Sequence, residues 1–290
     1  MKVFKVWDAA DGSAVPGRTF TASIAQEVVP SLGERLDYFK LGVKGAVSTA
    51  AVVIETFAGL ITPFTLRKGA QNRIILNLDE LCALSAHIFG VPPAIGENTD
   101  ATGNDFLGDI RIPVFDTFEA DRQFLVQADR SAVTNIASET VSLTAYADAL
   151  REARKPIHAV RISATTAGAA GMEQFGPKMP SVGTLKSVIF KVPNGFADGN
   201  IDTSLQRVKV YKGTQLIAEF NDLGDAETLC PIDYVTPNPL ADLMRQFRVF
   251  KLGDLGVDTR EGDISLAWDV QDVSDAIVVI PVLEIEEATA

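Results

Sequence analysis

Apolar and polar residues alternate along much of the chain, and the pattern is clearest around residue 64, where Phe64 and Leu66 are interleaved with Thr65 and Arg67. A period of two is that of a strand with one buried face. Lys68-Gly69-Ala70-Gln71 supplies a tight turn, and the apolar run resumes from Ile74 to Leu76. The period then lengthens. Leu81, Leu84 and Ile88 fall on one face of a helix that Asp79 can cap and that Gly90 and the Pro92-Pro93 pair stop.

The same hairpin pattern returns 144 residues later, where Lys212-Gly213-Thr214-Gln215 repeats the turn. That single offset also brings Val208 onto Phe64, Val210 onto Leu66, Phe220 onto Leu76 and Asn221 onto Asn77. Alternation is therefore kept on both sides of the turn, which points to a duplicated unit.

Further strands are expected over Phe20–Val29, Leu36–Val53, Ile110–Phe118, Arg122–Gln127 and Thr140–Tyr146. In the second half they fall at Ala159–Ala164, Leu185–Val192, Phe247–Leu252, Ile264–Val270 and Ala276–Ile285. Gly42 and Gly45 permit a bend or bulge in the long second strand. Pro92–Asp109 is rich in turn formers and reads as a long exposed loop. Ala147–Lys155 reads as a short polar helix before Pro156, and Asn238-Pro239 opens another with Leu240, Leu243 and Phe247 at helical spacing. Residues 1–17 read as an arm, in which Lys2, Phe4, Lys5 and Trp7 can either pair as an edge strand or rest on lipid headgroups.

At 290 residues, with hydrophobic positions at 47% and charged ones at 22%, the chain is long enough for two domains of ordinary size, each burying its own core. The expected division is an arm over 1–17, one sandwich over 18–150, a linker over 151–158 and a second sandwich over 159–290. A net charge of −12 argues against a nucleic-acid surface, which needs clustered cations to displace counterions. The small cluster Arg151, Arg154 and Lys155 is interrupted by Glu152 and reads as solvated. Cys82 and Cys230 are too few for a disulfide framework, and both read as buried thiols. The N-terminal residues lack the apolar core of a secretory signal, and no apolar run of ~20 residues is present to span a bilayer. Synthesis in a reducing cytoplasm is expected.

Catalytic patterns are thin. His87 and His158 are the only histidines, too few and too far apart for the multi-histidine metal centre of a cupin-type enzyme. There is no Gly-x-Ser-x-Gly elbow, Walker loop or dinucleotide glycine fingerprint. Asp198, Asn200 and Asp202 alternate like the start of a calcium loop, but Thr203 and Lys209 stand where that loop needs Gly and Glu. Glu97, Asn98, Asp100, Asn104, Asp105 and Asp109 form an acidic group without ligand spacing. No catalytic, cofactor or metal residue is assigned, and the chain is not expected to be an enzyme.

Two consecutive β-sandwich halves, the hairpin Phe64–Leu76 with the helix Asp79–Phe89, the second hairpin Val208–Phe220 and the segment Asn238–Phe247 resemble the double jelly-roll major capsid proteins of tailless icosahedral viruses of bacteria and archaea. The resemblance covers nearly the whole chain and rests on architecture and element order. It implies an all-β fold of two jelly rolls and homotrimers that close into pseudo-hexagonal capsomers of a virion shell. It also implies neighbouring capsomers, penton and minor capsid proteins as partners, with an internal membrane reached through the arm and no direct contact with nucleic acid. Two other classes share the architecture: a carbohydrate-binding or adhesin β-sandwich, and a double jelly-roll glycan hydrolase. Both call for exposed aromatics, and here only Trp7, Trp268 and four tyrosines supply Trp or Tyr rings.

Overall fold

Strands carry the alternation. The computed structural model describes residues 2–8, 19–23, 35–47, 59–90, 93–97, 104–117, 124–130, 136–147, 154–167, 171–192, 205–220, 244, 246–270 and 275–286. Contacts divide the chain into two units, Met1–Ile157 and His158–Ala290.

The first unit contains β1 (Lys2–Asp8), β2 (Thr19–Ser23), β3 (Arg35–Val47), β4 (Ile61–Lys68), β5 (Gln71–Leu76), α1 (Leu78–Phe89), β6 (Ala94–Glu97), β7 (Asn104–Thr117), β8 (Phe124–Arg130) and β9 (Ile136–Ala147). One sheet runs β1-β9-β3-β7-β6, and the opposing strands run β2-β8-β4-β5. Val141, Leu143 and Ala145 of β9 are buried, while Ser142, Thr144 and Tyr146 are half-buried on the other face. Phe64 and Leu66 of β4 and Phe124, Val126 and Ala128 of β8 bring the second layer of the core.

The second unit contains β10 (Ile157–Val160), β11 (Ile162–Thr165), β12 (Glu173–Lys178), β13 (Thr184–Lys191), β14 (Leu205–Lys212), β15 (Gln215–Phe220), β16 (Phe247–Lys251), β17 (Val257–Asp258), β18 (Ile264–Val270) and β19 (Ala276–Glu284). Strands β10 and β11 both lie on β19, in the order β10-β19-β13-β16, with β17 also on β13; the second sheet runs β12-β18-β14-β15. Phe190, Phe250, Val208, Leu266, Trp268 and Val279, drawn from both sheets, share one core.

The wiring of the two units is the same. In each, the opening strand lies beside the last strand, and the last beside the strand before the hairpin. With β10 and β11 taken together as one opening strand, the other sheet places the next strand beside the penultimate one, and the penultimate beside the hairpin. The two hairpins also agree residue by residue. Phe64 faces Leu76 and Leu66 faces Ile74, after which the register shifts so that Arg67 faces Asn72. Val208 faces Phe220 and Val210 faces Ala218, and the register shifts so that Tyr211 faces Leu216. Arg73 and Ile217, the extra residues of the two bulges, are themselves 144 apart. Both turns close through glycine in the left-handed region, Gly69 at φ 57° and Gly213 at φ 60°.

Several sequence expectations need correction. Pro92–Asp109 is not one loop: Ala94–Glu97 forms β6 and pairs with Asp109 to Phe106 of β7, so the strand expected from Ile110 begins at Asn104. Asn77, not Asp79, precedes α1, and its backbone N–H donates to Glu80 Oε2 at 2.9 Å. Asp79 lies buried in the first turn. Arg154, Lys155 and Pro156 have no regular structure, against the helix expected to Lys155, while residues 148–153 lie outside the described set. Of the two readings of residues 1–17, residues 2–8 follow the edge strand: they form β1, which pairs with β9 of the first unit from Lys2–Ala147 to Asp8–Ser142. The expected linker over 151–158 overlaps β10, which starts at Ile157. Phe247, placed at once in a helix and in a strand by its spacing, opens β16; residues 238–243 lie outside the described set.

β12 was not anticipated. Its sequence EQFGPK carries the strand breakers Gly176 and Pro177, yet both have a place. Pro is tolerated because β12 is an edge strand, and a Cβ on Gly176 would lie 2.1 Å from the Trp268 ring.

Gly69→Ala and Gly213→Ala should each lower stability in denaturant by about 1–2 kcal/mol, because both place an L side chain in the left-handed region. At Gly213 the added methyl meets open space, so conformation alone sets the cost. Hydrogen exchange resolved to each hairpin checks this; a loss at only one of them would break the equivalence.

Candidate assembly surfaces

The strand alternation that fills each core also dresses the outer sheet faces. On the first unit, Tyr38 of β3 stacks on Tyr146 of β9 with ring centroids 4.6 Å apart and planes 11° off parallel. Phe89, from the last turn of α1, meets Tyr38 edge-on at 5.7 Å. The Arg111 guanidinium covers both rings, at 5.7 Å from Tyr38 and 5.9 Å from Phe89. One step along the sheet, Lys40 and Asp109 pair at 2.7 Å, and Asp109 holds the ammonium above its ordinary pKa.

The outer face of the β12-β18-β14-β15 sheet mixes apolar and paired charged groups. Phe175 and Met172 are 67% and 60% exposed, and Phe175 lies 5.8 Å from the Tyr211 ring. Lys209 bonds Glu173 at 2.7 Å and lies 3.8 Å from Asp269, while Arg207 reaches Asp269 at 2.5 Å. The Tyr211 hydroxyl donates to Glu173 at 3.2 Å. The Lys209 bond holds the Glu173 carboxyl below its usual range and Lys209 above its own. Charges paired within the face lose less on being covered than free ones do.

Inside the first unit an ionic group crosses between the sheets. Lys68, at the end of β4, meets Asp116 of β7 at 2.5 Å with both side chains 1% exposed. Arg73, the bulge residue of β5, approaches the other carboxylate oxygen at 3.4 Å. The Phe124 ring lies 5.7 Å from the Lys68 ammonium. The position equivalent to Lys68 is Lys212, which reaches outward to Glu261 at 3.2 Å. A buried pair of this kind gives little net stability when complete but becomes costly when one partner is removed.

The end of the second unit is held by a separate cluster. Arg260 donates to Asp258 through Nε at 2.9 Å and Nη2 at 2.6 Å, and to Glu286 at 3.0 Å. These side-chain bonds, joined by the Arg260 backbone N–H, pull Asp258 down to about 2 from its ordinary 3.8.

The candidate residues from the sequence do not converge. His87 lies half-buried in α1 and His158 buried in β10, in different units. Cys82 is fully buried, which pushes its thiol well above the usual range. Of the acidic group at 97–109, Asp109 is engaged by Lys40, Glu97, Asn104 and Asp105 lie in β6 and β7, and residues 98 and 100 are outside the described set. Residues 198–202 and Cys230 are also outside it. Among the described residues, no three His, Cys, Asp or Glu side chains are grouped to hold a metal ion. Trp268 is wholly buried, with its indole N–H donating to Gln174 at 3.3 Å.

No protein-family model matches the chain, and no curated protein matches its sequence. Solved structures do. The major capsid protein of Sulfolobus turreted icosahedral virus superposes with a TM-score of 0.67 over 98% of this chain and 97% of its own, at 11% identity. The chain is a double jelly roll. The major capsid protein P2 of bacteriophage PM2 has the same fold, with a TM-score of 0.56, 10% identity, and 100% of this chain and 99% of that one covered. The PBCV-1 protein VP54 gives 0.56 at 11% identity over 99% and 94% of the two chains. The shared wiring of the two units is thus the double jelly-roll arrangement, with β6 and β17 as additions to it.

Asp116→Ala should cost about 3–5 kcal/mol, since it leaves Lys68 and Arg73 buried beside each other without that carboxylate. Denaturant unfolding followed in the first unit measures it, and a cost below ~1 kcal/mol would mean that water reaches the site.

A pH effect follows from Asp258. Its folded pKa is depressed, so the native state binds fewer protons than the unfolded one; the stabilisation is present above about pH 4 and lost as pH falls towards 2. Asp258→Asn should flatten that part of the acid-stability profile. An unchanged profile would show that other carboxylates govern it.

Proposed function

We propose that this chain is the major capsid protein of a tailless icosahedral virus, built for self-assembly rather than catalysis. The observation that carries the reading is the pairing of two identically wired jelly rolls in one chain, with the same hairpin register and bulge in both. Three such chains supply six similar sandwiches, which can occupy a hexagonal lattice position with only threefold symmetry. The capsid proteins of PM2 and of the Sulfolobus virus have this fold at this chain length. A virion location follows from the same reading, as does synthesis in the host cytoplasm.

The neighbouring capsomers, the penton and the minor capsid proteins are the partners in this proposal. A lipid contact through residues 1–17 would have to leave residues 2–8 paired with β9 as β1. Sugar binding fares worse than assembly: Trp268 is in the core and cannot stack on a sugar ring. The acidic balance fits a shell subunit that makes no contact with the genome.

Light scattering of the purified chain should give a trimer mass at micromolar concentration, and electron microscopy of the source particles should show an icosahedral shell with pseudo-hexagonal capsomers. A monomer throughout, together with no shell built from this chain, would refute the proposal.

A further inference from the structure

Each unit ends one of its sheets on a strand whose outer edge is paired to no other strand among the described residues. In the second unit it is β15, the last strand of β12-β18-β14-β15; in the first it is β1, the end of β1-β9-β3-β7-β6. They are similar in length, six and seven residues.

An open edge offers a row of backbone donors and acceptors, and proteins commonly guard such edges with lysine, proline or very short strands. β15, reading QLIAEF, has no lysine and no proline, and its Leu216 is 43% exposed. Its one charged residue is Glu219. β1, reading KVFKVWD, brings Lys2 and Lys5 near its start and Asp8 at its end, and its Val3 is 55% exposed.

The other edges fit less well. β12 carries Pro177, β6 is four residues long and contains Gly96, and β2, reading TFTAS, has no charge to answer Glu219. On β16, Arg248 turns back to the Phe247 carbonyl at 2.8 Å.

We propose that β15 of one copy pairs with β1 of the next, so that the second unit's sheet β12-β18-β14-β15 continues into the sheet β1-β9-β3-β7-β6 of a neighbouring chain. This inference rests on the capsomer reading above and names the contact that would close it. The two edges are unlike, one per unit, so the contact is heterologous: each copy gives β15 to one neighbour and receives β15 from another on β1. Head-to-tail contacts of that type close into a ring when the rotation allows. Main-chain hydrogen bonds would provide the attraction, and Glu219, opposite Lys209 on the outer face of its sheet, would meet Lys5, which pairs with Thr144 on the outer face of the other; that favours this pairing over β15 with β15, which sets glutamate against glutamate.

Charge reversal tests it on the full-length chain. Glu219→Lys should weaken the trimer by about tenfold or more in dissociation constant, and so should the Lys2→Glu, Lys5→Glu pair. The chain carrying all three changes should recover to within about threefold of the original, because the signs are again opposite across the contact. Glu219→Gln controls for the 4.0 Å approach of Arg207 to Glu219 within the chain and should weaken the trimer much less than Glu219→Lys. Circular dichroism must show each variant folded; a misfolded pair is replaced by Lys5→Glu alone, read against Glu219→Lys in the same way. If the original chain is a trimer and the reversals leave it so, or if the combined chain is no better than the separate ones, the strand pairing is wrong and the capsomer reading stands. If the original chain is monomeric at every concentration and builds no shell, the capsomer reading fails and this inference with it; a monomer beside a shell built from this chain overturns the strand pairing alone.

Discussion

Strand register is the constraint on which everything else in this chain rests. A strand's side chains alternate with a period of two, so a slip by one residue would turn Phe64 and Leu66 out of the core and carry Thr65 and Arg67 into it. The left-handed glycines Gly69 and Gly213 fix where each hairpin reverses, and the bulge that follows resets the facing pairs by one residue. Because the bulge is shared, the same device sets the register in both halves. What differs is the residue it displaces. Arg73 is buried beside Asp116, whereas Ile217 packs against an apolar core.

Much of this was legible because the turn chemistry and the alternation agree. Lys-Gly turns flanked by alternating apolar residues specify a hairpin with little help from the rest of the fold, and β13, β18 and β19 lie close to their expected bounds for the same reason. Local signals failed where tertiary contacts overrode them. Gly176 and Pro177 look like a strand break, but the glycine makes room for Trp268 and the proline sits on an edge. The Gly, Asn and Asp residues between 92 and 109 imitate a loop, while long pairing with β3 holds Asn104 to Asp109 extended. Asp79 has the chemistry of a cap, but Glu80 reaching back to Asn77 places the helix start two residues earlier.

The charged clusters were less legible than the fold. Lys68 and Arg73 flank the hairpin turn and Asp116 belongs to a distant strand; only the stacking of two sheets brings Lys68 and Asp116, 48 residues apart, into contact. The signal that was available is the mismatch at one offset, an arginine in one hairpin where the other has isoleucine. On the outer faces, alternation identified which residues leave the core but not which of them meet. Arg207, Lys209, Glu173 and Asp269 come from three strands, and their pairing depends on cross-strand register that sequence alone does not determine. On that face the cations Arg207 and Lys209 are met within the sheet by Asp269 and Glu173.

The two hairpins share a backbone but are not interchangeable parts. Moving residues 205–220 into the place of 61–76 would preserve the turn, the bulge and the alternation, yet it would set Ile217 where Asp116 now meets Arg73 and Tyr211 where Arg67 stands. The carboxylate would lose one of its cations in a dry interior, and the transplanted Lys212 would have to exchange its outward reach for a buried one. One half holds its charge inside and the other outside, so an exchange of coding segments between the halves would yield chains with the right topology and a defective core.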